Sequence, residues 1–185
     1  MVHRVKQLVV LVVVIAAGYY LYTKFVRDLS AKSDEQLIEM YGTGDFADSK
    51  AAEIELDRRM KDNKLSNAAL YKQLDKSDGE IKGAAAEWLG RNRTKDAPAK
   101  LIKVLKDSSP KARTGACRAF QYLRSKEAVD ILINLLEDGD DDVRQQASAA
   151  LTHYTGGEVK YKQFGKAQWR EWWSTEKNTF RPPGD

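Results

Sequence analysis

A repeat of 31 residues is the feature that most constrains how this chain folds. When the sequence is shifted by 31 positions, apolar residues superpose in successive copies. Within each copy they lie four positions apart, which places them on one face of a helix. Such periods are typical of solenoids, in which each unit buries its apolar face against its neighbours. The superposed triplets are Ile81, Ala112 and Val143; Ala85, Ala116 and Ala147; and Leu89, Phe120 and Leu151.

The same offset predicts a second helix in each unit. It matches Leu101 to Leu132, Leu105 to Leu136 and Asp107 to Asp138. The polar stretches between first and second helices, such as GRNRTKD and RSKE, are long enough only for tight antiparallel turns. Each unit is therefore predicted to be a helical hairpin.

One copy of the first helix carries a family resemblance. Residues 140–151, DDDVRQQASAAL, resemble the short bacterial HEAT-repeat family, also called PBS-lyase HEAT-like. The first helix of that family often reads Asp-x-x-Val-Arg-x-x-Ala-x-x-Ala-Leu. The two earlier copies match less closely but keep a basic residue, Lys82 or Arg113, at the arginine position. The resemblance covers residues 45–155 and implies a right-handed α-solenoid, but it does not imply bilin lyase activity.

The ends of the chain depart from the repeat. Leu70 and Leu74 lie 31 residues before Leu101 and Leu105, which indicates a degenerate earlier unit. Three tryptophans on one helical stripe indicate a carboxy-terminal cap helix. The predicted all-α chain thus consists of a membrane helix (1–27), a linker helix (28–44), HEAT-like hairpins (about 45–76, 78–107, 109–138 and 140–155), and a cap and tail (156–185).

The amino-terminal segment is predicted to span a membrane. Residues 8–26 form an apolar run of 19 residues in which Lys24 is the single charge. As a helix the run would extend about 28 Å, close to the thickness of a bilayer core. The basic head MVHRVKQ favours a periplasmic body in a bacterium, with a cytoplasmic body as the alternative. Residues that mark the span are Leu8, Val14, Gly18, Tyr22 and Val26.

A second interpretation of this segment is a cleaved secretory signal, because Ala16 and Ala17 are small residues near a possible cleavage point. The solenoid would then be a secreted periplasmic binding protein. The aromatic, apolar run continues past these alanines, which favours the uncleaved anchor.

The charge distribution argues against nucleic acid as a partner. The formal charge is +4, and the first 27 residues contain four basic and no acidic side chains. From Asp28 onward, basic and acidic residues are equal in number. The body therefore has no net field to attract phosphate backbones.

The sequence offers little for catalysis. It contains two histidines, His3 and His153, one cysteine, Cys117, and no His-Glu dipeptide of the kind used by HEAT-like di-iron enzymes. The acidic turn at residues 137–142 has no EF-hand spacing and suits a helix N-terminus better than a calcium site. We expect no enzyme activity, cofactor, metal or small-molecule substrate. A bilin-lyase-like or other ligand-handling enzyme is the alternative.

The expected function is that of an adaptor, an accessory subunit of a membrane protein complex that acts through protein contacts. A basic residue recurs at one solenoid position and either contacts a partner or pairs with inter-repeat carboxylates. Trp88 lies where the later units have alanine, and its ring either fills a gap or projects to a partner. The cap tryptophans are either a hot spot or packing residues. The candidate partner-binding residues are Lys82, Arg113, Arg144, Trp88, Trp169, Trp172 and Trp173.

Overall fold

The computed structural model describes residues 29–156 and 164–180, and this part of the chain is helical without strands. A 3₁₀ turn spans Lys126–Ala128. The helices are α1 (Asp34–Thr43), α2 (Phe46–Lys61), α3 (Asn67–Leu74), α4 (Gly79–Arg91), α5 (Ala97–Val104), α6 (Pro110–Leu123), α7 (Val129–Leu135), α8 (Asp141–Tyr154) and α9 (Lys166–Glu176).

The first helices of the repeat pack side by side. Helix α4 packs against α6, and α6 packs against α8. The second helices α3, α5 and α7 each pack against the first helix that follows them. The 31-residue period therefore correctly predicts the helical repeat architecture.

The core explains why the sequence folds in this way. Of the nine residues in the superposed triplets, eight are fully buried and Ile81 alone is partly exposed. Leu101, Leu105 and Leu132 of the second helices are also fully buried. Since a helical hairpin cannot cover this apolar surface by itself, burial requires the neighbouring unit.

Helix α1 belongs to the stack, although the sequence indicated a linker helix over 28–44. It packs against α2, α3 and α4, and it buries Leu37 and Ile38 completely. Ser33 caps its first turn, and Gly42 lies so close to α4 that a side chain there would contact the Glu80 carbonyl. The helix beside α4 is thus α1, whereas the sequence-based unit 45–76 began with α2. Both helices carry apolar residues four positions apart, so spacing could not distinguish them.

The membrane localisation requires a correction. Within residues 29–156 and 164–180, no helix has both the length and the apolar character needed to cross a bilayer. This finding contradicts the predicted localisation, which was that of a single-pass membrane protein with a periplasmic body. The predicted span, with Leu8, Val14, Gly18, Tyr22 and Val26, lies outside the described residues.

Candidate partner-binding surface

The recurrent basic residues form an inter-helix ladder. Lys82 Nζ donates to Asp107 Oδ2 at 2.6 Å. One unit later, Arg113 Nε and Nη2 donate to the two carboxylate oxygens of Asp138 at 2.9 and 2.7 Å. Each pair joins the first turn of a first helix to an aspartate in the turn that follows the second helix of the same unit. Lys82 and Arg113 therefore stabilise the repeat.

The ladder also connects neighbouring units. Arg113 Nη1 donates to the backbone oxygen of Asp107 at 2.8 Å, and Arg144 Nη1 donates to that of Asp138 at 2.7 Å. Arg144 also forms an ion pair with Asp141, on its own helix. All three recurrent basic residues thus have intramolecular partners.

The ladder lowers the pKa of its carboxyl groups. Burial is the largest single influence on the pKa of Asp107 and Asp138, and it disfavours their charged form. The side-chain hydrogen bond from Lys82 or Arg113, a backbone hydrogen bond and the nearby positive charges together outweigh burial, so the pKa of each carboxyl lies below its ordinary value of 3.8. One oxygen of each carboxylate also accepts a backbone N–H two residues on.

The acidic turn at residues 137–142 serves to begin α8. The Asp140 side chain accepts the backbone N–H of Val143 at 3.1 Å and so caps the helix. Asp78 caps α4 through Ile81 in the same way at 3.0 Å. Within residues 29–156 and 164–180, no group of three or more His, Cys, Asp or Glu side chains is placed to hold a metal ion.

Trp88 fills a gap and does not project to a partner. Its side chain is fully buried, with its ring edge-on to Tyr41 at 5.7 Å between centroids. The Arg91 guanidinium lies 4.3 Å from the centroid of the Trp88 ring. Of the two interpretations of Trp88, burial supports the one in which the ring fills a gap, and the one in which it projects to a partner is wrong. The alanines at the equivalent positions, Ala119 and Ala150, are also fully buried.

The cap tryptophans pack against one another and against the end of the repeat. Trp169 and Trp173 are almost fully buried, and Trp172 is partly buried between them and Phe180. Helix α9 packs on α7, where Arg170 donates to Asn134 at 3.2 Å. This arrangement covers the second helix of the last complete hairpin.

A groove lies across the first helices, between α1, the start of α2, α4 and α6. Its volume is about 510 Å³, and its floor consists of small residues where α4 and α6 approach most closely. A side chain added at Gly115 would overlap the carbonyl of Gly83, so the two backbones are nearly in contact. Paired charges lie along the groove, Glu87 with Arg118 at 3.2 Å and Lys111 with Asp142 at 3.8 Å.

Two aromatic residues occupy the same groove with different exposure. Phe46, the first residue of α2, is 88% exposed, whereas Tyr41 is partly buried against Trp88. Burial raises the pKa of the Tyr41 hydroxyl, and the nearby Glu87 carboxylate raises it further. Phe46 is the most exposed large apolar side chain among the described residues.

A second pocket lies at the C-terminal ends of α4, α6 and α8. It has a volume of about 350 Å³ and is lined by Arg93, Gln121, Tyr122, Arg124 and His153. Among residues 29–156 and 164–180, no carboxylate lines it. Arg93 and Arg124 both have left-handed backbone conformations, with φ of 48° and 38°.

Sequence reasoning missed both surfaces. Phe46 follows the helix-capping Asp45, and that position is compatible with either burial or exposure. Arg93 and Arg124 are separated by the repeat period, and this was the signal that could have identified them as equivalent.

Cys117 and His153, the cysteine and the histidine of the described residues, do not come together in one site. Cys117 is buried, and burial raises the pKa of its thiol to about 12, so it remains protonated near neutral pH. His153 is exposed at the end of α8. Cys117 is thus a packing residue in this structure.

Comparison with known proteins agrees with the repeat architecture. Residues 67–152 match the family model for HEAT repeats, which covers a little under half of the chain. This match supports a HEAT-repeat protein, while the bacterial source and the right-handed twist stay predictions. No curated protein matches the chain significantly.

Proposed function

We propose that this chain is a helical-repeat scaffold that binds another protein and serves as an accessory subunit of a protein complex. In this proposal it acts by binding rather than by catalysis. The observation that carries the proposal is the exposed ring of Phe46 at the groove between α1, α4 and α6.

The shape of the groove suits a protein segment. Its floor of Gly83, Ala84 and Gly115 lacks large side chains, so a partner can bring bulky groups close to the helix backbones. Phe46 would then bury most of its ring against that partner. Aromatic residues contribute strongly at interfaces because they remove a large apolar area from water with little loss of conformational freedom.

The charges around the groove resemble the edge of an interface. The pairs Glu87–Arg118 and Lys111–Asp142 surround the small-residue floor. Protein interfaces commonly combine an apolar centre with a polar rim whose charges set orientation more than affinity. A partner could exchange contacts with Arg118, whose side chain is 44% exposed.

Photo-crosslinking in the source cells tests the proposal. A benzoylphenylalanine placed at Phe46 in the full-length chain is expected to give an adduct with one dominant protein. The same group at Glu171, on the exposed side of α9, is the control. Absence of an adduct from position 46, or the same adducts from both positions, would count against the proposal.

Substitutions then measure the contribution of the ring. Phe46→Asp should weaken binding of the crosslinked protein by about tenfold or more. The thermal unfolding midpoint should stay nearly unchanged because the ring is exposed in the free chain. Ile54→Ala, at a 40% exposed position on α2 outside the groove lining, should keep full affinity.

A further inference from the structure

We propose that the pocket formed by Arg93, Gln121, Tyr122, Arg124 and His153 binds an acidic segment of the partner protein. The inference rests on the proposed function, since it requires a bound protein, but it concerns a different surface and names the chemistry of the segment. We name this surface the arginine pocket.

Arg93 and Arg124 both have an unfavourable backbone conformation for a residue with a side chain. The chain turns with positive φ just past the ends of α4, α6 and α8, and past α8 the turning residue is Gly156, two positions beyond Tyr154, with φ of 81°. Past α4 the turning residue is Arg93, two positions beyond Arg91, and past α6 it is Arg124, directly after Leu123. Glycine adopts this conformation without steric cost, whereas a residue with a Cβ is strained. The arginine side chains at these two positions therefore do not stabilise the turn.

The second observation is the lack of ion-pair partners. Among residues 29–156 and 164–180, no carboxylate lies within ion-pair distance of Arg93 or Arg124. The other arginines of these helices are paired: Arg91 with Glu53 and Asp57, Arg113 with Asp138, and Arg118 with Glu87. The arginine pocket is thus a local excess of positive charge on a body that is neutral overall.

The composition of the pocket specifies a protein segment with carboxylates. A planar guanidinium matches a carboxylate through two parallel hydrogen bonds, and two such groups line one cavity. Tyr122 is 43% exposed and gives an aromatic surface beside them. Tyrosine and arginine are the residue types enriched at interface hot spots. Gln121 is held in place by a hydrogen bond to Gln146 at 2.9 Å.

The position at helix C-termini offers a competing explanation. Cations there are favoured by the partial negative charge of the helix end. This stabilisation of the helix end is modest at exposed positions, and a lysine in the last helical turn would provide it equally well. The competing explanation predicts that removing Arg93 and Arg124 lowers stability, which separates it from a binding role.

Fluorescence anisotropy with a defined peptide tests the proposal. The probe is a fluorescein-labelled glutamate-rich peptide, titrated with the full-length chain, and the same peptide with glutamine in place of each glutamate is the probe control. The double variant Arg93→Gly and Arg124→Gly should bind the acidic peptide about tenfold more weakly or worse. Its thermal unfolding midpoint should stay the same or rise, because glycine relieves the left-handed strain.

A matched variant controls for net charge. Lys103→Gln and Lys106→Gln remove the same charge from exposed positions on and after α5, and affinity should stay within about twofold. The double variant Arg93→Lys and Arg124→Lys keeps the charge but loses the forked donors. Its affinity for the acidic peptide should lie between that of the parent chain and that of the glycine variant.

Several outcomes would overturn the proposal. The first is that the acidic and the glutamine peptides bind equally well. The second is that the glycine variant and the lysine-to-glutamine variant lose the same affinity for the acidic peptide. The third is that the glycine variant has a lower thermal unfolding midpoint than the parent chain. A concentration-dependent dimer that the glycine variant abolishes would assign the pocket to a second copy of this chain and also overturn it. Phe46→Asp should leave peptide binding unchanged, so failure here and failure of the groove proposal are distinguishable.

Discussion

Arg113 holds both carboxylate oxygens of Asp138 and, at the same time, donates to the backbone oxygen of Asp107 in the preceding unit at 2.8 Å. A single guanidinium therefore fixes the ends of one hairpin to each other and to the neighbouring hairpin. Lys82 and Asp107 form the equivalent pair one period earlier. The repeat thus preserves the position of an ion pair as well as the pattern of apolar residues.

Loss of the Arg113 side chain should destabilise the fold. Arg113→Ala leaves the Asp138 carboxylate, 9% exposed, without its main partner. We expect the free energy of unfolding to fall by about 2–3 kcal/mol in urea denaturation. Lys111→Ala is the control, because its pair with Asp142 is more than half exposed at 3.8 Å, and it should change stability by no more than about 0.5 kcal/mol. Equal effects of the two substitutions would contradict the structural role of the ladder.

The ladder should make stability sensitive to acid. The pKa of Asp107 and of Asp138 is lower in the folded chain than the ordinary value of 3.8. Their stabilising contribution is therefore fully present above that value and is lost as the pH falls through the lower folded pKa. Asp107→Asn with Asp138→Asn should lower stability near neutral pH and reduce its dependence on pH below 3.8, measured by thermal unfolding across pH. An unchanged acid dependence in this variant would show that other carboxylates dominate.

Trp88 should contribute to stability through its volume rather than its hydrogen-bonding capacity. The side chain is fully buried, and its indole N–H has no hydrogen-bond partner among the described residues. Trp88→Ala should cost about 3–5 kcal/mol in urea denaturation through the lost contacts and the resulting cavity. Trp88→Phe should cost no more than about 2 kcal/mol, because an aromatic ring is kept and the unsatisfied donor is removed. Similar losses for the two variants would indicate a specific role for the indole.

The close approach of α4 and α6 should not tolerate an added methyl group. A Cβ at Gly115 would overlap the backbone of Gly83, so Gly115→Ala should lower the free energy of unfolding by about 2–3 kcal/mol. Gly139 has open space around it and no positive φ. Gly139→Ala should therefore leave stability unchanged or raise it by up to about 1 kcal/mol. A stable, folded Gly115→Ala variant would mean that the two helices can separate at low cost.

The sequence determined the features that depend on local pattern. The 31-residue period and the four-residue spacing within it predicted the hairpins, because they record which face of each helix is apolar. The same period placed Lys82 and Arg113 at equivalent positions, and the structure gives them equivalent partners. The stripe of three tryptophans likewise predicted the helix that packs on the end of the repeat.

Only the tertiary structure decided which element covers each apolar face. Helices α1 and α2 have similar spacing, and α1 lies beside α4 because its small residue Gly42 allows close approach and its Tyr41 meets Trp88. That contact buries Trp88, whereas Phe46, at the start of the next helix α2, stays exposed. Likewise, the equivalence of Arg93 and Arg124 is visible in the period, but the pocket that they share is not. Periodicity is a local property of one helix, while burial and charge pairing depend on distances between helices that are remote in sequence.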